Sequence, residues 1–352
     1  MRSIKHILLI TPGFPVDEND TTCLPMVQEF LKGFLNLHPE IEFTVVSLHY
    51  PYHTNSYLWN KTNVIPLGGS NVKEFGKLML WRNAIKKVYA IGSEKQFDLV
   101  HSLWLAEATT VAIRAAKKFS IPCVSTLMGQ DALPENNYLP FIDFNHLELI
   151  ALCDRQAEEL WKTAGRKVNK VIPWGISDQN FDLNKQRNID ILGVGSLIPL
   201  KNYSLFISII NRLVKIYPEV KAEIIGDGTE KEQLADLITK LNLEKNVNLA
   251  GELPHTEIME KMQNAKILLH TSSYEGFGYV FAEAFANGMY VVSNNVGAAT
   301  DLEKWKITEN EQEFSSAIQN LLNSKMIFEA ANIFSIDKTV NSYYNFYNEI
   351  LK

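Results

Sequence analysis

Cysteine is scarce in this 352-residue chain, and the three cysteines that occur are far apart in sequence. Cys23, Cys123 and Cys153 are an odd number, and their spacing fits neither a disulfide framework nor a zinc site. Cysteines used in this way are typical of proteins in a reducing compartment. The sequence therefore predicts a cytoplasmic protein.

Long apolar runs are missing as well, since no stretch approaches the roughly 18 residues that cross a bilayer. The amino terminus, MRSIKHILLITPGFP, imitates a signal peptide through its basic start and short apolar run. Pro12, Gly13 and Pro15 interrupt this run, and no small-residue cleavage site follows it. The segment is therefore predicted to form a first strand over residues 6–10.

A basic surplus is also lacking, because the formal net charge is −6 and the acidic excess lies after residue 185. A phosphate backbone would meet no cationic surplus, which excludes a general nucleic-acid role. The stretch 73–95 is a local exception, since it is basic and amphipathic. The favoured interpretation is a helix packed on its own sheet, and the alternative is peripheral contact with a membrane surface or an anionic acceptor.

The chain does contain a regular alternation of strand-like and helix-like segments. At 46% hydrophobic residues it can bury two cores, so two domains are expected. Strands separated by helices predict an α/β fold of doubly wound parallel sheets. The predicted organisation is a Rossmann-like domain over 1–177, a polar linker over 178–188, a second Rossmann-like domain over 189–335 and a final helix over 336–352.

The periodicity also predicts individual elements. In the first half, helices are expected over 24–37 and around 157–165, with a strand over 42–48 and a strand–helix–strand unit over 97–131. The second half is predicted to alternate strands, beginning near residues 189, 221, 247, 265 and 289, with helices over 203–217, 229–241, after 254 and over 280–287. Thr229 and Glu232 have the spacing of a capping box.

The stretch HTSSYEGFGYVFAEAFANG, residues 270–288, gives the strongest indication of a site. Its turn lies between an apolar strand and a helix, at the sheet edge where open α/β sheets bind ligands. Gly276 and Gly278 allow the backbone to approach a ligand closely, and a helix start can receive phosphate or sugar oxygens. Glu275 and Glu283 could both accept hydrogen bonds from vicinal hydroxyls. Without further context, two such glutamates would more often be structural, with Glu275 as a helix-capping acid and Glu283 as a solvated helix position.

This turn resembles the glutamate pair of the GT4 family of retaining glycosyltransferases, which have the GT-B fold. The resemblance implies that Glu275 holds the donor sugar at the catalytic centre and that Glu283 holds the nucleotide ribose. It assigns sugar and phosphate contacts to the backbone of the turn at Phe277, Gly278, Tyr279 and Val280. The similarity covers nearly the whole chain and is strongest over residues 193–301. In such enzymes the final helix crosses back onto the first domain.

Further motifs fit the same family. GVGSLIPLKN places Lys201 where the family has a lysine that binds the donor diphosphate, so the resemblance makes Lys201 a catalytic residue. IIGDG matches a Gly-Asp-Gly turn in which Gly226 and Gly228 shape the loop and Asp227 is structural. AGELPHTEI matches a family segment whose backbone borders the nucleobase, and the resemblance assigns that contact to the backbone near Glu252 and Leu253.

Three positions depart from the family pattern. Ser196, a donor-side position, stands where the family has an arginine that binds the diphosphate. Met128 stands where the family has a histidine beside the donor sugar, and Trp174 stands where asparagine is common. Gly13 is either a donor contact or simply a turn residue. Met128, Asp131 and His101 are the acceptor-side candidates, although a histidine at a strand end is more often structural.

The resemblance implies a retaining transfer of a hexosyl unit from a UDP- or GDP-sugar to a saccharide or lipid-linked acceptor, in cell-surface polysaccharide or glycoconjugate synthesis. No tightly bound cofactor and no metal are expected, since no Asp-x-Asp motif follows a predicted strand. The protein is expected in the cytoplasm, with peripheral contact at the inner membrane face if residues 73–95 bind lipid. The alternatives are a sugar-nucleotide-binding regulator or partner with weak or no transferase activity, and a sugar-nucleotide epimerase of the same fold.

Overall fold

The computed structural model describes residues 3–71, 75–177 and 185–352. Its backbone forms two compact units. The first unit takes the chain up to Ser177 together with Phe334–Lys352, and the second takes the residues between them. Each unit is built on a parallel sheet with helices, which confirms the predicted α/β fold class.

The first unit contains an eight-stranded sheet in the order β3-β4-β2-β1-β5-β6-β7-β8. Neighbouring strands are parallel except at one edge, where β3 runs antiparallel to β4. The strands are β1 His6–Gly13, β2 Glu42–Tyr50, β3 Tyr57–Trp59, β4 Thr62–Pro66, β5 Leu99–Leu103, β6 Cys123–Thr126, β7 Glu148–Ala151 and β8 Lys170–Val171.

Four longer helices connect these strands, namely α1 Pro25–Leu37, α2 Phe75–Glu94, α3 Glu107–Phe119 and α4 Asp154–Ala164. The helix α2 buries Leu80, Ala84 and Val88 in the core that it shares with α3 and the sheet. The apolar face of α2 therefore packs on its own sheet, as the favoured interpretation of this basic segment predicts. Lys73 and Glu74, at the start of the segment, lie outside the described residues.

The second unit contains a six-stranded, fully parallel sheet in the order β11-β10-β9-β12-β13-β14. Its strands are β9 Ile189–Val194, β10 Ala222–Ile225, β11 Val247–Gly251, β12 Ala265–His270, β13 Tyr290–Ser293 and β14 Trp305–Ile307. Its helices are α5 Tyr203–Val214, α6 Lys231–Lys240, α7 His255–Gln263, α8 Tyr279–Ala286 and α9 Glu311–Leu322.

Both sheets are doubly wound from a central strand. In the first, the chain runs outward from β1 through β2 and then returns to β5 on the other side of β1. In the second, it runs from β9 through β10 to β11 and returns to β12 beside β9. The carboxyl ends of β1 and β5, and those of β9 and β12, are therefore topological switch points, where such sheets bind ligands.

The last helix, α10 Ile336–Ile350, belongs to the first unit and packs against α1. Its buried face is aromatic, with Tyr343, Phe346 and Tyr347 inside the unit. Backbone bonds join Ile176 to Phe334 and Ile336, so the chain re-enters the first unit beside the point where it left. Most of the predicted linker, residues 178–184, lies outside the described residues.

The capping box predicted at Thr229 and Glu232 is wrong. The helix α6 begins at Lys231, and its cap residue Glu230 makes no side-chain hydrogen bond to the helix. The backbone of Glu230 instead donates to the Leu197 carbonyl at 2.9 Å. The tertiary contact between the two loops, rather than a local cap, sets the start of this helix.

No helix within the described residues has the length and apolarity to span a membrane.

Candidate functional site

The carboxyl edge of the second sheet is formed by loops that approach one another closely. A Cβ on Gly226 would collide with the Gly195 carbonyl, and one on Gly228 would collide with the Leu197 carbonyl. The loop after β9 is in turn tied to the loop after β12. The Thr271 hydroxyl donates to the Lys201 carbonyl at 2.9 Å, and the Ser273 amide donates to the Leu200 carbonyl at 2.9 Å. The switch point between β9 and β12 is therefore a closely packed, hydrogen-bonded loop cluster.

Glu275 lies in this cluster, at the switch point itself. Its Oε1 accepts a hydrogen bond from the Lys201 ammonium and lies 3.0 Å from Nε2 of His270, the last residue of β12. Burial alone would raise the pKa of Glu275, but the His270 hydrogen bond and the Lys201 charge outweigh it and lower the pKa to about 2. Glu275 is therefore ionised at neutral pH and can only accept hydrogen bonds.

The glycine-rich turn leads from Glu275 directly into α8. Gly278 caps this helix with a left-handed backbone, φ 81°, and a Cβ there would strike the Phe281 ring. Gly297 closes the turn from behind, since a Cβ on it would strike the Phe277 carbonyl. Phe277 is buried, whereas Tyr279 and Val280 at the helix start are half-buried. The helix begins at Tyr279, one residue earlier than predicted, and Gly288 follows its end at φ 69°.

Glu283 lies one turn into α8 and is bound by a histidine that the sequence motifs did not single out. His255 Nε2 is 2.6 Å from Glu283 Oε1, and only 16% and 9% of the two side chains are exposed. His255 is the first residue of α7, directly after the predicted base-contacting segment at Leu253. The sequence motifs gave no signal for this pair, because its members are 28 positions apart in the chain.

Ser196 and Leu253 lie on the loops after β9 and β11, respectively. Ser196 is exposed, and its hydroxyl makes no hydrogen bond to any residue that the structure describes. Leu253 is half-buried between Gly251, at φ 76°, and Pro254. Both positions lie at the carboxyl edge of the sheet, as Lys201 and Glu275 do. Among the described residues, neither the Ser196 nor the Leu253 side chain forms a hydrogen bond with Lys201 or Glu275.

The corresponding edge of the first unit contains Gly13 and Trp104. Gly13 is buried at the irregular end of β1, where a Cβ would meet nothing closer than Cys23 Sγ at 3.6 Å. Its backbone is not left-handed, so neither backbone conformation nor the space around it requires glycine there. Trp104, just after β5, has a left-handed backbone with φ 66°, an outlier for a bulky residue. Sequence reasoning did not identify Trp104.

The acceptor-side assignment of His101 is wrong. The ring is fully buried within the first unit, and both nitrogens are engaged, Nε2 with Thr126 Oγ1 and Nδ1 with the Tyr347 hydroxyl, at 2.8 Å each. Burial lowers its pKa to about 3. A neutral imidazole with both nitrogens bonded inside a core cannot reach an acceptor, so His101 is a structural residue.

The carboxylate of Asp131 is structural too, which corrects its assignment as an acceptor contact. It is buried and accepts bonds from the backbone amides of Leu105, Met128 and Gly129 at 2.8 to 3.2 Å. Desolvation raises its pKa against the opposing effect of these amide bonds. Asp131 therefore joins the loops after β5 and β6. Met128, held by this contact, is half-buried at the same edge.

Trp174 is a core residue of the first unit. It is 1% exposed, stacks on Phe30 with ring centroids 4.7 Å apart and donates through Nε1 to the Tyr343 hydroxyl at 2.8 Å. The side chain that replaces the family's asparagine thus points into an aromatic core. Burial in that core leaves it unable to contact a ligand.

A further cluster at the first unit's edge was missed by sequence reasoning. Glu107, the first residue of α3, accepts hydrogen bonds from His49 at 2.9 Å and from Tyr138, and forms an ion pair with Lys77 at 2.9 Å. Although burial opposes it, these contacts lower the pKa of Glu107 to about 2. The partners come from β2, α2 and the loop before β7, so no local spacing could reveal them.

Within the described residues, no group of three or more histidines, cysteines and carboxylates is placed to hold a metal ion. Metal independence of the reaction remains a prediction.

Comparison with known proteins identifies the second unit's family. Residues 176–335 match the family described as glycosyl transferases group 1. An uncharacterised glycosyltransferase of Methanocaldococcus jannaschii is 26% identical over 291 residues, covering 77% of each chain. The gpi3 subunit of phosphatidylinositol N-acetylglucosaminyltransferase from Schizosaccharomyces pombe is 29% identical over 164 residues, 46% of this chain and only 36% of that subunit.

A solved structure shares the fold along almost the entire chain. Anabaena HepE, crystallised in complex with UDP and glucose, superposes with a TM-score of 0.73 at 18% identity, covering 97% of this chain and 99% of that one. At this identity the likeness establishes the architecture alone.

Proposed function

Since this chain belongs to the group 1 glycosyltransferases and is a transferase with the GT-B fold, we propose that it moves a hexosyl unit from a UDP-sugar to a hydroxyl acceptor with retention of the anomeric configuration. The observation that carries this proposal is the Lys201–Glu275–His270 cluster at the switch point of the second unit. The UDP and glucose bound to HepE support uridine as the donor base.

In this proposal Glu275 accepts a hydrogen bond from a hydroxyl of the donor sugar. With a pKa of about 2 it is ionised at neutral pH and serves neither as a general acid nor as a strong base. Lys201 has three N–H donors, so its bond to Glu275 leaves others for the diphosphate. The two side chains then fix the sugar and its leaving group relative to each other.

The chemical step follows from these positions. As the bond between the anomeric carbon and the diphosphate oxygen breaks, negative charge grows on the diphosphate. Lys201 and the amino end of α8 stabilise that charge. The acceptor oxygen attacks on the face that the diphosphate leaves, and the departing phosphate oxygen takes the acceptor's proton. No covalent carboxylate intermediate is required, and no metal is assigned to the step.

Glu283 is proposed to accept hydrogen bonds from the ribose, while the backbone of the turn from Phe277 to Val280 contacts sugar and phosphate and the backbone near Leu253 borders the base. Ser196 and Gly13 are proposed to lie along the donor, and Met128 on the acceptor side.

Peripheral membrane contact through α2 is proposed as the way a lipid-linked acceptor is reached. Leu78 and Met79 are 59% and 68% exposed, and Arg82, Lys86 and Lys87 on the same helix are exposed as well. The turn that contains Tyr138 lies next to α2, because the Tyr138 hydroxyl is 3.0 Å from the Lys77 ammonium. Phe141 in this turn is 84% exposed and adds a further apolar side chain to the surface. Exposed apolar side chains among cations suit an anionic bilayer surface.

Vesicle sedimentation tests this contact. The parent should bind vesicles that contain phosphatidylglycerol more than vesicles of phosphatidylcholine, and Lys86→Glu combined with Lys87→Glu should abolish the difference. Equal binding of both vesicle types by the parent would contradict the contact.

A second candidate is a sugar-nucleotide-binding protein with weak or no transferase activity. The observation in its favour is the burial of Trp174, which leaves no donor contact at that position. The two functions separate in an assay of UDP release from UDP-glucose, UDP-galactose and UDP-N-acetylglucosamine, with GDP-mannose for comparison.

The transferase predicts UDP release that rises when a glycoside or lipid-linked acceptor is added and disappears in Glu275→Gln. Nuclear magnetic resonance of the product should then show the donor's anomeric configuration. Nucleotide binding without release in any combination would favour the second candidate, and inversion would overturn the proposed mechanism.

A further inference from the structure

The contact between His255 and Glu283 bears directly on how the second unit would grip a nucleotide. Glu283 is one turn into α8, and its carboxylate is almost fully buried. Oε1 lies 2.6 Å from His255 Nε2, whereas Oε2 has no hydrogen-bond partner within the part of the chain that the structure describes. One oxygen is therefore held and the other is available to a ligand.

An ionised carboxylate accepts hydrogen bonds, so the imidazole must donate from Nε2. A single charge-assisted bond of this length fixes the rotation of the carboxylate about its own axis. Two adjacent ribose hydroxyls need acceptor lone pairs in a defined direction. A carboxylate that rotates freely would satisfy them only part of the time.

The helix that carries His255 is itself held against α8. Asn287, at the end of α8, is fully buried and donates to the Glu283 carbonyl at 2.9 Å. Its amide also lies 3.9 Å from the sulfurs of Met259 and Met262 on α7. Arg187 bonds to the carbonyls of both Met262 and Asn287. These contacts keep the first residue of α7 in register with Glu283.

We propose that His255 is a positioning residue that orients the Glu283 carboxylate toward the ribose, and thereby makes the donor site select ribonucleotides over deoxyribonucleotides. This inference rests on the proposed function of Glu283 as the ribose ligand. His255 does not touch the reacting atoms and acts only through Glu283.

Selectivity distinguishes positioning from a merely structural link between α7 and α8. Calorimetric titration of the full chain with UDP, 2′-deoxy-UDP and 3′-deoxy-UDP measures the preference for the ribonucleotide as a ratio of affinities. In the parent, UDP should bind about ten-fold or more tightly than at least one deoxynucleotide, since a carboxylate is then left without its hydroxyl partner. In His255→Ala the preference should fall toward one, because UDP loses affinity while the deoxynucleotide changes little.

Two further variants and one control variant complete the design. His255→Gln retains an N–H donor and should restore much of the preference. The double variant His255→Ala with Glu283→Ala should bind UDP no more weakly than Glu283→Ala alone, since His255 then has no carboxylate to orient. Glu257→Gln, an exposed change in the same turn of α7, is the control and should behave as the parent.

The outcomes separate the inference from its premise. If UDP does not bind the parent at all, the proposed donor site fails. If UDP binds with a ribose preference that His255→Ala leaves intact, or if affinities for all three nucleotides fall together, the positioning role fails alone. A parent that binds both deoxynucleotides as tightly as UDP also overturns the inference, since Glu283 then does not grip the ribose.

Discussion

The Lys201 ammonium donates directly to Oε1 of Glu275, so the cation assigned to the diphosphate and the carboxylate assigned to the sugar are joined. Lys201 follows β9 and Glu275 follows β12, the two neighbouring strands at which the winding of the second sheet reverses. The topology thus brings together two residues that are 74 positions apart. The pair gives the site a carboxylate that stays ionised and a cation of fixed position.

Replacing Lys201 by Met should lower the rate of transfer by about a hundred-fold or more, because one preorganised donor to the leaving diphosphate is lost. Steady-state kinetics with the identified donor measure this loss. Lys266→Met is the matched control. Its ion pair with Asp190, at 2.7 Å, joins the amino ends of β12 and β9. Because these ends lie at the sheet edge opposite the site, activity should be retained. Equal losses in both variants would show that Lys201 acts through stability alone.

Replacing Ser196 by Arg should raise the affinity for UDP by roughly ten-fold, since a charge-assisted bond to diphosphate is worth about 1.5 to 3 kcal/mol. The exposed position leaves room for the longer side chain. Calorimetry on Ser196→Arg, with Ser196→Ala as the control, measures the effect. If the affinity of the arginine variant for UDP does not rise, then Ser196 is not simply a missing diphosphate contact, and other groups hold the diphosphate.

Glu107→Gln should destabilise the first unit by about 1 to 3 kcal/mol at pH 7, because three donors lose a charged acceptor. The folded pKa of about 2 lies below the value of about 4.3 in an unfolded chain. The stabilisation by ionised Glu107 is therefore present above about pH 4.3 and is lost as the pH falls toward 2.

Urea denaturation at pH 7 and pH 3 tests both statements about Glu107. The glutamine variant should be less stable than the parent at pH 7, and the gap should narrow at pH 3. Glu135→Gln, an exposed change in the loop that contains Tyr138, should stay within about 0.5 kcal/mol of the parent. A gap that is independent of pH would contradict the ionised cluster.

Tyr343→Phe should cost about 1 to 3 kcal/mol of unfolding free energy, because the buried Trp174 Nε1–H loses its acceptor. UDP binding, which is assigned to the second unit, should be unchanged. Denaturation and calorimetry on this variant are to be compared with Tyr344→Phe, whose ring stacks on His38 instead. A stable Tyr343→Phe protein would show that the aromatic core tolerates the unpaired indole.

The second sheet was predictable from sequence because its central strands β9, β12 and β13 are mostly apolar and buried, and because its helices have regular apolar spacing. β9 to β13 and α5 to α8 lie close to where the periodicity placed them. The edge strand β14 and the helix α9 were missed. β14 has three residues, which is too short for a periodic signal.

The roles of polar residues in the site were less predictable, because packing rather than spacing decides them. In the sequence, His101 is an acceptor-side candidate and Trp174 stands where the family commonly has asparagine, but the aromatic face of α10 buries both side chains. His255 gave no signal at all, since its partner Glu283 lies on the next helix of the fold. Turn glycines such as Gly278 were easier to interpret, because a left-handed backbone that presses on a ring requires glycine.

Calorimetric titration of the parent and of Glu283→Ala with UDP and GDP tests whether the switch point of the second unit binds the donor nucleotide. We expect the parent to bind UDP with micromolar affinity and GDP more weakly, and we expect Glu283→Ala to lose UDP affinity by about ten-fold or more. Unchanged UDP affinity in Glu283→Ala, or no binding of either nucleotide by the parent, would contradict donor binding at the switch point.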